Sequence, residues 1–421
     1  MEAKRHQVVI LGGGTAGIML AATLKRTKAD LDIAIVEPSE KHYYQPAYTL
    51  VGAGTYKLEK CVRDEADYIP KGTTWIKDFA EHISPDNNEV ILRKQGKIKY
   101  DVLVVATGVI FDNSLIEGLQ EALDKGIVCS NYVDPNKTWE LLQKFQGGNL
   151  IFTQSNTPIK CGGAPQKAAY LSADYLRRKK LAQPHNIMLV MPGSVIFGVK
   201  IIAESLLKKV EEYKIHLKLG LAPIKIDSTR KTVTFKNVLA TPNKYVDENP
   251  PVFKVNKLDQ DTIEVPFDFL HLAPPQTTHK FVKESGLTNA QGWVDVNINS
   301  LQHNRYPNVF SLGDAAALPT AKTGAAIRKQ VPVVVDNIIS FLEGKPVQNF
   351  GYEGYSSCPL TTGYGEMVLA EFNYKNEFTP DPKLKMMLIS KSYKPHWRLW
   401  ILKKHILPYL YWNKMLKGIP V

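Results

Sequence analysis

The sequence predicts an α/β protein, because short apolar strands alternate with amphipathic helices along most of its 421 residues. Apolar residues make up 44% of the chain and charged residues 22%, which is ordinary for globular proteins and excludes a mainly disordered or collagen-like chain. Four cysteines in this length exclude a scaffold held together by disulfides. At about 150 residues per domain, the length favours two or three domains.

The predicted elements begin with a βαβ unit made of a strand at 7–11, a helix at 16–26 and a strand at 32–36. Further strands are predicted at 102–106, 150–153, 187–191 and 269–272, and further helices at 165–179 and 200–213. Residues 225–267 predict an antiparallel hairpin or insertion. Its short strands lie at 233–235 and 263–265, and its polar loop contains Pro242, Asn249, Pro250 and Pro251.

The turn between the first strand and helix reads Gly12-Gly13-Gly14-Thr15-Ala16-Gly17, which matches the pattern G-x-G-x-x-G. Gly12 permits a tight turn, Gly14 lets the backbone approach a pyrophosphate, and Gly17 allows close helix packing. Glu37 ends the next strand, where a carboxylate accepts hydrogen bonds from ribose hydroxyls. The alternative is a glycine-rich turn without a ligand, but the strand, helix and acid together favour a bound dinucleotide.

Two later segments favour FAD over NAD as that dinucleotide. Residues 100–108 read as a strand ending in Ala-Thr-Gly108, and residues 306–314 as a strand ending in Gly-Asp314. Both resemble segments of the flavoproteins that have two dinucleotide-binding domains. The resemblance implies that Asp314 contacts the ribityl or phosphate region of FAD; the residues alone leave open that Asp314 is a helix N-cap.

The second α/β block lacks a glycine fingerprint. The strand at 187–191 is followed by Gly193 and Gly198, with the bulky Ile196 and Phe197 between them. Side chains of this size block the close approach of a pyrophosphate. We therefore expect a degenerate nicotinamide site, so that electrons reach the flavin from a donor other than NADH.

Two of the four cysteines have distinctive surroundings. Cys161 precedes a helix and lies between Lys160 and Lys167, so we expect its pKa to be depressed. Cys358 lies in a segment rich in turn residues, which predicts a loop. For either thiol the alternative is a buried, inert side chain.

The other two thiols, Cys61 and Cys129, have no such setting, and Cys61 is expected in an ordinary surface segment. Because no cysteine has metal-ligand spacing, no metal is predicted.

Four segments resemble sulfide:quinone oxidoreductases, and most closely the branch that includes the mitochondrial enzyme: residues 42–54, 157–167, 301–310 and 352–363. The resemblance covers nearly the whole chain. It implies that Cys161 and Cys358 form a redox-active pair facing FAD. We expect Cys161 to be the flavin-facing thiolate and Cys358 the persulfide carrier, although neither the residues nor the resemblance fixes this order. The implied reaction oxidises sulfide to persulfide, polysulfide or zero-valent sulfur and passes two electrons through FAD to a membrane quinone.

The glycine loop and this resemblance together give the expected cofactor-binding residues: Gly12, Gly13, Gly14, Ala16, Gly17, Glu37, Gln45, Ala80, Gly108, Asp314 and Lys322. The resemblance places Lys322 near the pyrimidine end of the flavin, where it stabilises the anionic reduced form. The alternative for Lys322 is a solvated surface lysine.

The expected architecture is two Rossmann-like dinucleotide-binding domains followed by a C-terminal amphipathic region. Residues 1–115 with 290–350 are expected to bind FAD, residues 116–289 to form the second domain, and residues 351–421 to carry the second redox cysteine and a membrane region.

Most of the net charge of +12 lies in residues 380–421, which hold eight lysines and Arg398 against Asp381. Tryptophan, tyrosine and leucine mixed with lysine predict two short helices, split by Pro408, that lie in a membrane interface and are too short to span it. The alternative is a basic helix docked on the protein's own core or on a second copy. No nucleic-acid partner is expected, and a homo-oligomer stays open.

The expected partners are sulfide, a membrane quinone and a sulfur acceptor, which is a small thiol, sulfite or polysulfide. No Arg/Ser-rich transit segment precedes the first strand, so the expected location is the periphery of a bacterial cytoplasmic membrane. The alternative functions are a type II NADH:quinone oxidoreductase, a flavocytochrome c sulfide dehydrogenase and a catalytically silent flavoprotein scaffold at the membrane.

Overall fold

The computed structural model describes residues 4–181, 183–240 and 253–421. The N-terminal elements are β1 (Lys4–Leu11), α1 (Thr15–Thr27), β2 (Ile33–Val36), β3 (Lys41–Tyr43), α2 (Tyr48–Val51), β4 (Val62–Asp64), β5 (Thr73–Ile76), β6 (Ala80–Ser84), β7 (Glu89–Leu92) and β8 (Gly96–Val105). The middle elements are β9 (Ile110–Phe111), α3 (Leu119–Asp124), β10 (Val128–Cys129), α4 (Pro135–Lys144), β11 (Gly148–Gln154), α5 (Ala164–Lys179), β12 (His185–Met191), α6 (Lys200–Glu212), β13 (His216–Leu219), β14 (Leu221–Asp227), β15 (Thr232–Asn237), β16 (Asn256–Lys257), β17 (Thr262–Pro266), β18 (Phe269–Ala273) and β19 (Gln276–Thr277). The C-terminal elements are α7 (Lys280–Lys283), β20 (Val309–Ser311), α8 (Gly324–Leu342), β21 (Ser356–Gly363), β22 (Glu366–Phe372), α9 (Trp397–Ile401) and α10 (Leu407–Asn413).

The first sheet has seven strands, of which β5, β2, β1, β8 and β20 run parallel and β7 and β6 extend the sheet antiparallel. The predicted βαβ unit is confirmed as β1, α1 and β2. Helix α1 forms because its apolar residues Ile18, Leu20 and Leu24 bury completely against the sheet. Strand β20 joins this sheet from far along the chain, next to the end of β8.

The second sheet is wholly parallel, with strand order β10-β18-β11-β12-β13. Phe152 of β11 lies between Leu189 of β12 and His271 of β18, and all three side chains are buried. The helices predicted at 165–179 and 200–213 are confirmed as α5 and α6. Two largely parallel sheets with helices against them make a mixed α/β protein, as the sequence predicts.

A third, antiparallel sheet has the order β14-β15-β17-β16. It confirms the antiparallel insertion and places both short strands predicted there in one sheet, as β15 and β17. The proline-containing loop at Pro242, Asn249, Pro250 and Pro251 lies outside the described residues.

Cys358 lies on a strand, so the predicted loop is wrong. The segment forms β21, which pairs antiparallel with β22, and Cys358 stands opposite Ala370. Turn residues suggested a loop, but Pro359 fits because β21 pairs only with β22 among the described strands, and a strand edge tolerates a missing N–H.

The predicted split of the tail at Pro408 is also wrong. Residues 397–413 form one continuous helical run, α9 followed by a π-turn at Leu402–Ile406 and then α10. Pro408 lies in the first turn of α10, where the wider π-turn accommodates a residue that has no N–H to donate. No helix among the described residues is long and apolar enough to cross a membrane.

The expected surface position of Cys61 is wrong too, since its side chain is completely buried in the core beneath α1. Burial raises the pKa of this thiol to about 12. Cys129 is also buried, with its Sγ 3.5 Å from the carbonyl oxygen of Leu270, and burial raises its pKa to about 12. Both thiols are therefore protonated near neutral pH.

Candidate active site

The glycine loop between β1 and α1 has the geometry of a ligand-binding turn. Gly12 has φ +105°, and a Cβ there would lie 2.5 Å from the carbonyl oxygen of Ala106. A Cβ on Gly17 would lie 1.9 Å from the carbonyl oxygen of Gly12, so the helix packs directly on the loop. A Cβ on Gly14 would meet no atom of the described residues within 4 Å apart from its chain neighbours, and no side chain among them caps α1 there. The positive helix end therefore faces open space that fits a pyrophosphate.

We predict that Gly14→Ala weakens FAD binding about tenfold while the apoprotein keeps its Tm. The added methyl group meets no protein atom within 4 Å, but it occupies the space in which a phosphate approaches the backbone. Gly17→Ala, by contrast, forces a clash inside the fold and should lower the Tm itself. Flavin fluorescence titration and thermal unfolding of both apoproteins separate the two effects, and equal FAD affinity in wild type and Gly14→Ala would contradict this geometry.

Glu37 is fixed at the end of β2, facing the loop. Its Oε2 accepts the Gly13 N–H at 2.7 Å and its Oε1 accepts the Ser39 N–H at 2.7 Å. A Cβ on Gly13 would lie 2.6 Å from Glu37 Cγ, so the second glycine is needed for this contact. The carboxylate is thereby oriented beside the loop with lone pairs left for a ribose hydroxyl.

Asp314 and Lys322 lie on the other side of the loop. Gly313, next to Asp314, packs against Ala16, where an added Cβ would lie 3.2 Å from the alanine methyl group. Lys322 Nζ donates to the carbonyl oxygens of Asp314 at 2.7 Å and Ala316 at 3.1 Å. Burial lowers the pKa of Lys322 to about 8, so the surface alternative for this lysine is wrong. Leu312 is the N-cap of the short 3-10 turn at Gly313–Ala315 and Asp314 lies inside that turn, so the N-cap alternative for Asp314 is wrong.

The remaining expected cofactor residues are less closely tied to the loop. Gln45 begins a short 3-10 turn, is exposed, and its carbonyl accepts the Tyr48 N–H, while its side chain makes no hydrogen bond to the described part of the chain. Ala80 begins β6 and is half-buried. Gly108 follows β8 with φ +66° and nothing within 4 Å of its missing side chain.

Cys161 and Cys358 are brought together with their Sγ atoms 3.8 Å apart. A disulfide needs about 2 Å, so both are thiols here at a distance that a small movement closes. Cys161 has φ +52°, an unusual conformation for a residue with a side chain. Three hydrogen bonds hold it there: its N–H donates to Lys322 O at 2.7 Å, and its carbonyl accepts from Ala164 N at 2.8 Å and from Tyr132 Oη at 3.1 Å.

The pair is polarised toward a thiolate on Cys161. The Cys358 thiol donates toward Cys161, and buried Lys167 donates to Cys161 Sγ at 2.9 Å, so the pKa of Cys161 falls well below its usual range. The pKa of Cys358 rises well above its usual range, first because of that same hydrogen bond and then because of burial. Of the two lysines expected to act on Cys161, only Lys167 contacts it; Lys160 Nζ lies 5.3 Å from the centre of the Phe111 ring.

Sequence reasoning missed Lys403, which the tail carries into the site. The side chain is 2% exposed, and Nζ donates to the Pro46 carbonyl at 2.6 Å. Burial first, and then the positive charge of Lys167, lower the pKa of Lys403 to about 7, while the thiol pair opposes that shift. A signal was present, because Lys403 falls on the same helical stripe as the buried Leu399 and Leu402.

A cavity of about 440 Å³ reaches Cys358 from outside. Its wall includes Met191, Ile196, Phe197 and Gly198, the residues that replace a second glycine fingerprint. The side-chain amide of Gln166 donates to the Ile196 carbonyl at 2.7 Å and so ties this loop to α5. The lining residues include no charged side chain.

Comparisons with known proteins agree on one family. Residues 6–144 match the family model described as pyridine nucleotide-disulphide oxidoreductase. The chain is 37% identical over 420 residues to the mitochondrial sulfide:quinone oxidoreductase of Mus musculus, covering 99% of this chain and 88% of that protein. It is 40% identical over 418 residues to the protein of the same name from Dictyostelium discoideum, covering 98% of this chain and 86% of that protein.

The solved structure of the sulfide:quinone oxidoreductase from the hyperthermophilic bacterium Aquifex aeolicus superimposes with a TM-score of 0.77, over 99% of this chain and 92% of that chain. At 20% identity this likeness shows the shared fold alone.

These relatives correct the expected location on a bacterial cytoplasmic membrane, which is wrong because both are named as mitochondrial proteins. That expectation rested on the residues before the first strand. A targeting segment is an address and takes no part in the fold, so these residues were a weak basis for a location.

Identity of this level across nearly the whole length excludes the alternative of a type II NADH:quinone oxidoreductase, since staphylococcal proteins of that name match over 29% of this chain, at 25–29% identity. The polarised thiol pair and the open glycine loop fit the same conclusion. The chain belongs to the sulfide:quinone oxidoreductase family and is an FAD-dependent enzyme that oxidises sulfide with a quinone as its electron acceptor.

Proposed function

We propose that sulfide is oxidised at the Cys161–Cys358 pair and that the pair cycles between a disulfide and two thiols. The observation that carries this proposal is the 3.8 Å separation of the two Sγ atoms, with Lys167 Nζ 2.9 Å from one of them. A buried ammonium beside one thiol makes that sulfur the better leaving group when the disulfide is attacked.

Each turn of the proposed cycle transfers one sulfur atom and two electrons. Hydrosulfide attacks the Cys358 sulfur of the disulfide, which breaks the S–S bond and leaves a persulfide on Cys358 and a thiolate on Cys161. The sulfur acceptor, in its anionic form, attacks the outer sulfur of the persulfide and leaves with it, which makes Cys358 a thiolate. The two thiolates re-form the disulfide and release two electrons. Lys167 stabilises the Cys161 thiolate from the opening of the disulfide until the disulfide re-forms.

Bound FAD would supply the two-electron acceptor for this cycle and the redox link to quinone. The residues that would hold it are the open glycine loop at Gly14, the oriented carboxylate of Glu37, and Asp314 with Lys322 on the far side of the loop. Because the Cys161 N–H donates to the Lys322 carbonyl, the thiol pair is fixed directly to this binding region. We propose that the two parallel sheets are Rossmann-like units, of which the first binds FAD.

We propose Cys358 as the persulfide carrier because the cavity reaches this residue. Hydrosulfide and a sulfur acceptor need access to the carrier, whereas the flavin-facing thiolate needs only the ammonium of Lys167. The proposed acceptor is a small thiol, sulfite or polysulfide. The loop at 191–198, which lacks a second glycine fingerprint, thus forms part of the wall of the path to Cys358.

Anaerobic visible spectroscopy tests the proposed function. Sulfide should bleach the oxidised-flavin band of the purified protein, and a short-chain quinone should restore it. A spectrum that ignores sulfide and bleaches with NADH would contradict the proposal.

We propose that the tail binds a membrane surface. One face of the helical run packs against the protein through the buried Leu399 and Leu402. The opposite face exposes apolar and aromatic side chains: Trp397 (56% exposed), Ile401 (39%) and Tyr409 (59%). Leu388, which follows the short 3-10 helix at Pro382–Met387, is 75% exposed. Aromatic and aliphatic side chains beside lysines favour the headgroup boundary of a bilayer, which we assign to the mitochondrion from the relatives.

The double variant Trp397→Ser with Leu388→Ser is predicted to lower partitioning onto anionic vesicles at least tenfold. Both side chains are exposed, so the substitutions remove apolar area without opening the core, whereas truncating the tail would remove the buried Trp412 and Leu416. Sedimentation with vesicles measures the effect. Leu207→Ser, an exposed leucine on α6, is the matched control, and unchanged partitioning of the double variant would contradict the membrane assignment.

A further inference from the structure

The hydroxyl group of Tyr411, in the tail, contacts the dinucleotide loop. It lies 2.7 Å from Thr15 Oγ1, on the first residue of α1, and 2.6 Å from His42 Nε2. Tyr411 is 5% exposed, and His42 is 3% exposed. A single buried hydroxyl therefore joins the last helix of the chain to the first.

The contact continues from His42 through Glu65 to Gly13, at the face of the loop where Glu37 also lies. His42 Nδ1 lies 3.0 Å from Glu65 Oε2, and Glu65 is buried. Glu65 Oε1 has no hydrogen-bond partner in the described part of the chain and packs on Gly13, where an added Cβ would lie 2.4 Å away. Gly13 is the residue whose N–H orients Glu37. With His42 Nδ1 donating to Glu65, the hydrogen bonds run in one direction, from Thr15 through Tyr411 and His42 to Glu65.

The tail is held in this position by packing as well. Trp412 and Tyr68 have ring centroids 5.1 Å apart, and Tyr44 and Tyr411 have centroids 4.7 Å apart. At Gly418 the tail lies so close to α1 that an added Cβ would be 2.7 Å from the Thr23 N. The glycine loop is thus held between its own sheet and the docked tail.

We propose that the C-terminal tail is part of the cofactor site: Tyr411 acts through Thr15 on one side and through His42 and Glu65 on the other to hold the glycine loop in its FAD-binding form. This inference rests on FAD as the cofactor and adds a coupling between cofactor binding and tail docking. Tyr411, His42 and Glu65 are positioning residues, since none of them need touch FAD. By reciprocity, FAD must stabilise tail docking by the same factor by which the docked tail strengthens FAD binding.

Tyr411→Phe is the sharpest test, because it removes one oxygen and keeps the ring in its aromatic cluster. We expect the Kd for FAD, measured by flavin fluorescence on full-length apoprotein, to rise about five- to tenfold. The apoprotein Tm should change little, whereas the gain in Tm on adding FAD should shrink. Tyr409→Phe, an exposed residue on the same helix, is the matched control and should leave the Kd unchanged.

A double-mutant cycle distinguishes coupling from a general structural effect. Thr15→Ala and Tyr411→Phe should be non-additive in their effects on the Kd, since each removes the same hydrogen bond. In wild type, FAD should also slow hydrogen exchange of residues 407–417, and this protection should be lost in Tyr411→Phe. An unchanged Kd in Tyr411→Phe, or additive effects in the cycle, would overturn the coupling. Failure of the wild-type apoprotein to bind FAD would overturn the cofactor assignment itself.

Discussion

Replacing Cys161 or Cys358 with serine is expected to lower the rate of sulfide-dependent flavin reduction to roughly one thousandth of wild type or less, with FAD still bound. A serine hydroxyl forms neither a disulfide nor a persulfide, so hydrosulfide has no sulfur–sulfur bond to attack. The Sγ separation of 3.8 Å makes the two residues one functional unit. Anaerobic stopped-flow absorbance measures the rate, and the flavin absorbance per protein measures FAD content.

Cys129→Ser is the matched control, because that side chain donates to the Leu270 carbonyl as a hydroxyl also can. It should leave the rate unchanged. The double variant of Cys161 and Cys358 should be no slower than either single variant, since the loss of one partner already stops the cycle. Wild-type rates in either single variant would contradict the two-thiol mechanism.

The glycine loop was predictable from sequence because its requirements are local. Gly12 is required by its positive φ, Gly14 by the open space beside it, and Gly17 by the Gly12 carbonyl oxygen five residues earlier, and all three follow one short spacing pattern. The same holds for α6, whose apolar spacing specifies one buried face, whereas α1 is buried on all sides along residues 16–22. Such features need no knowledge of the rest of the fold.

The errors came from places where tertiary contacts decide the outcome. Pro359 and its neighbours suggested a loop, but pairing with β22 makes the segment a strand edge that tolerates a proline. Pro408 suggested a helix break, but the π-turn before it lets the helix continue although proline has no N–H to donate. The lysine before Cys61 suggested a surface segment, yet the core beneath α1 encloses the cysteine.

The long-range partners of the site were beyond local reasoning. Lys403 approaches the thiol pair only because the tail folds back over Pro46. Tyr411 meets His42 across 369 positions of sequence, and no spacing rule connects them. Both are buried polar side chains, and such groups need hydrogen-bond partners that only the tertiary fold supplies.

The lysine beside the thiol pair gives the second large effect. Lys167→Met is predicted to slow sulfide-dependent flavin reduction about ten- to a hundredfold near neutral pH. Lys167 Nζ donates to Cys161 Sγ at 2.9 Å, and an ammonium at this distance typically lowers a thiol pKa by one to three units. Its removal raises the pKa of Cys161, so the acid limb of the pH–rate profile moves to higher pH.

The direction of the pH dependence distinguishes a changed pKa of Cys161 from a simple disruption of the site. Cys161 in the wild type is a thiolate above its depressed pKa, so the rate should fall only at low pH, whereas Lys167→Met should recover activity as the pH is raised. Lys160→Met is the matched control, because Lys160 Nζ lies over the Phe111 ring and the Cys161 thiol does not depend on it. A Lys167→Met profile reduced equally at every pH would show that the lysine holds the structure of the site and does not set the ionisation of Cys161.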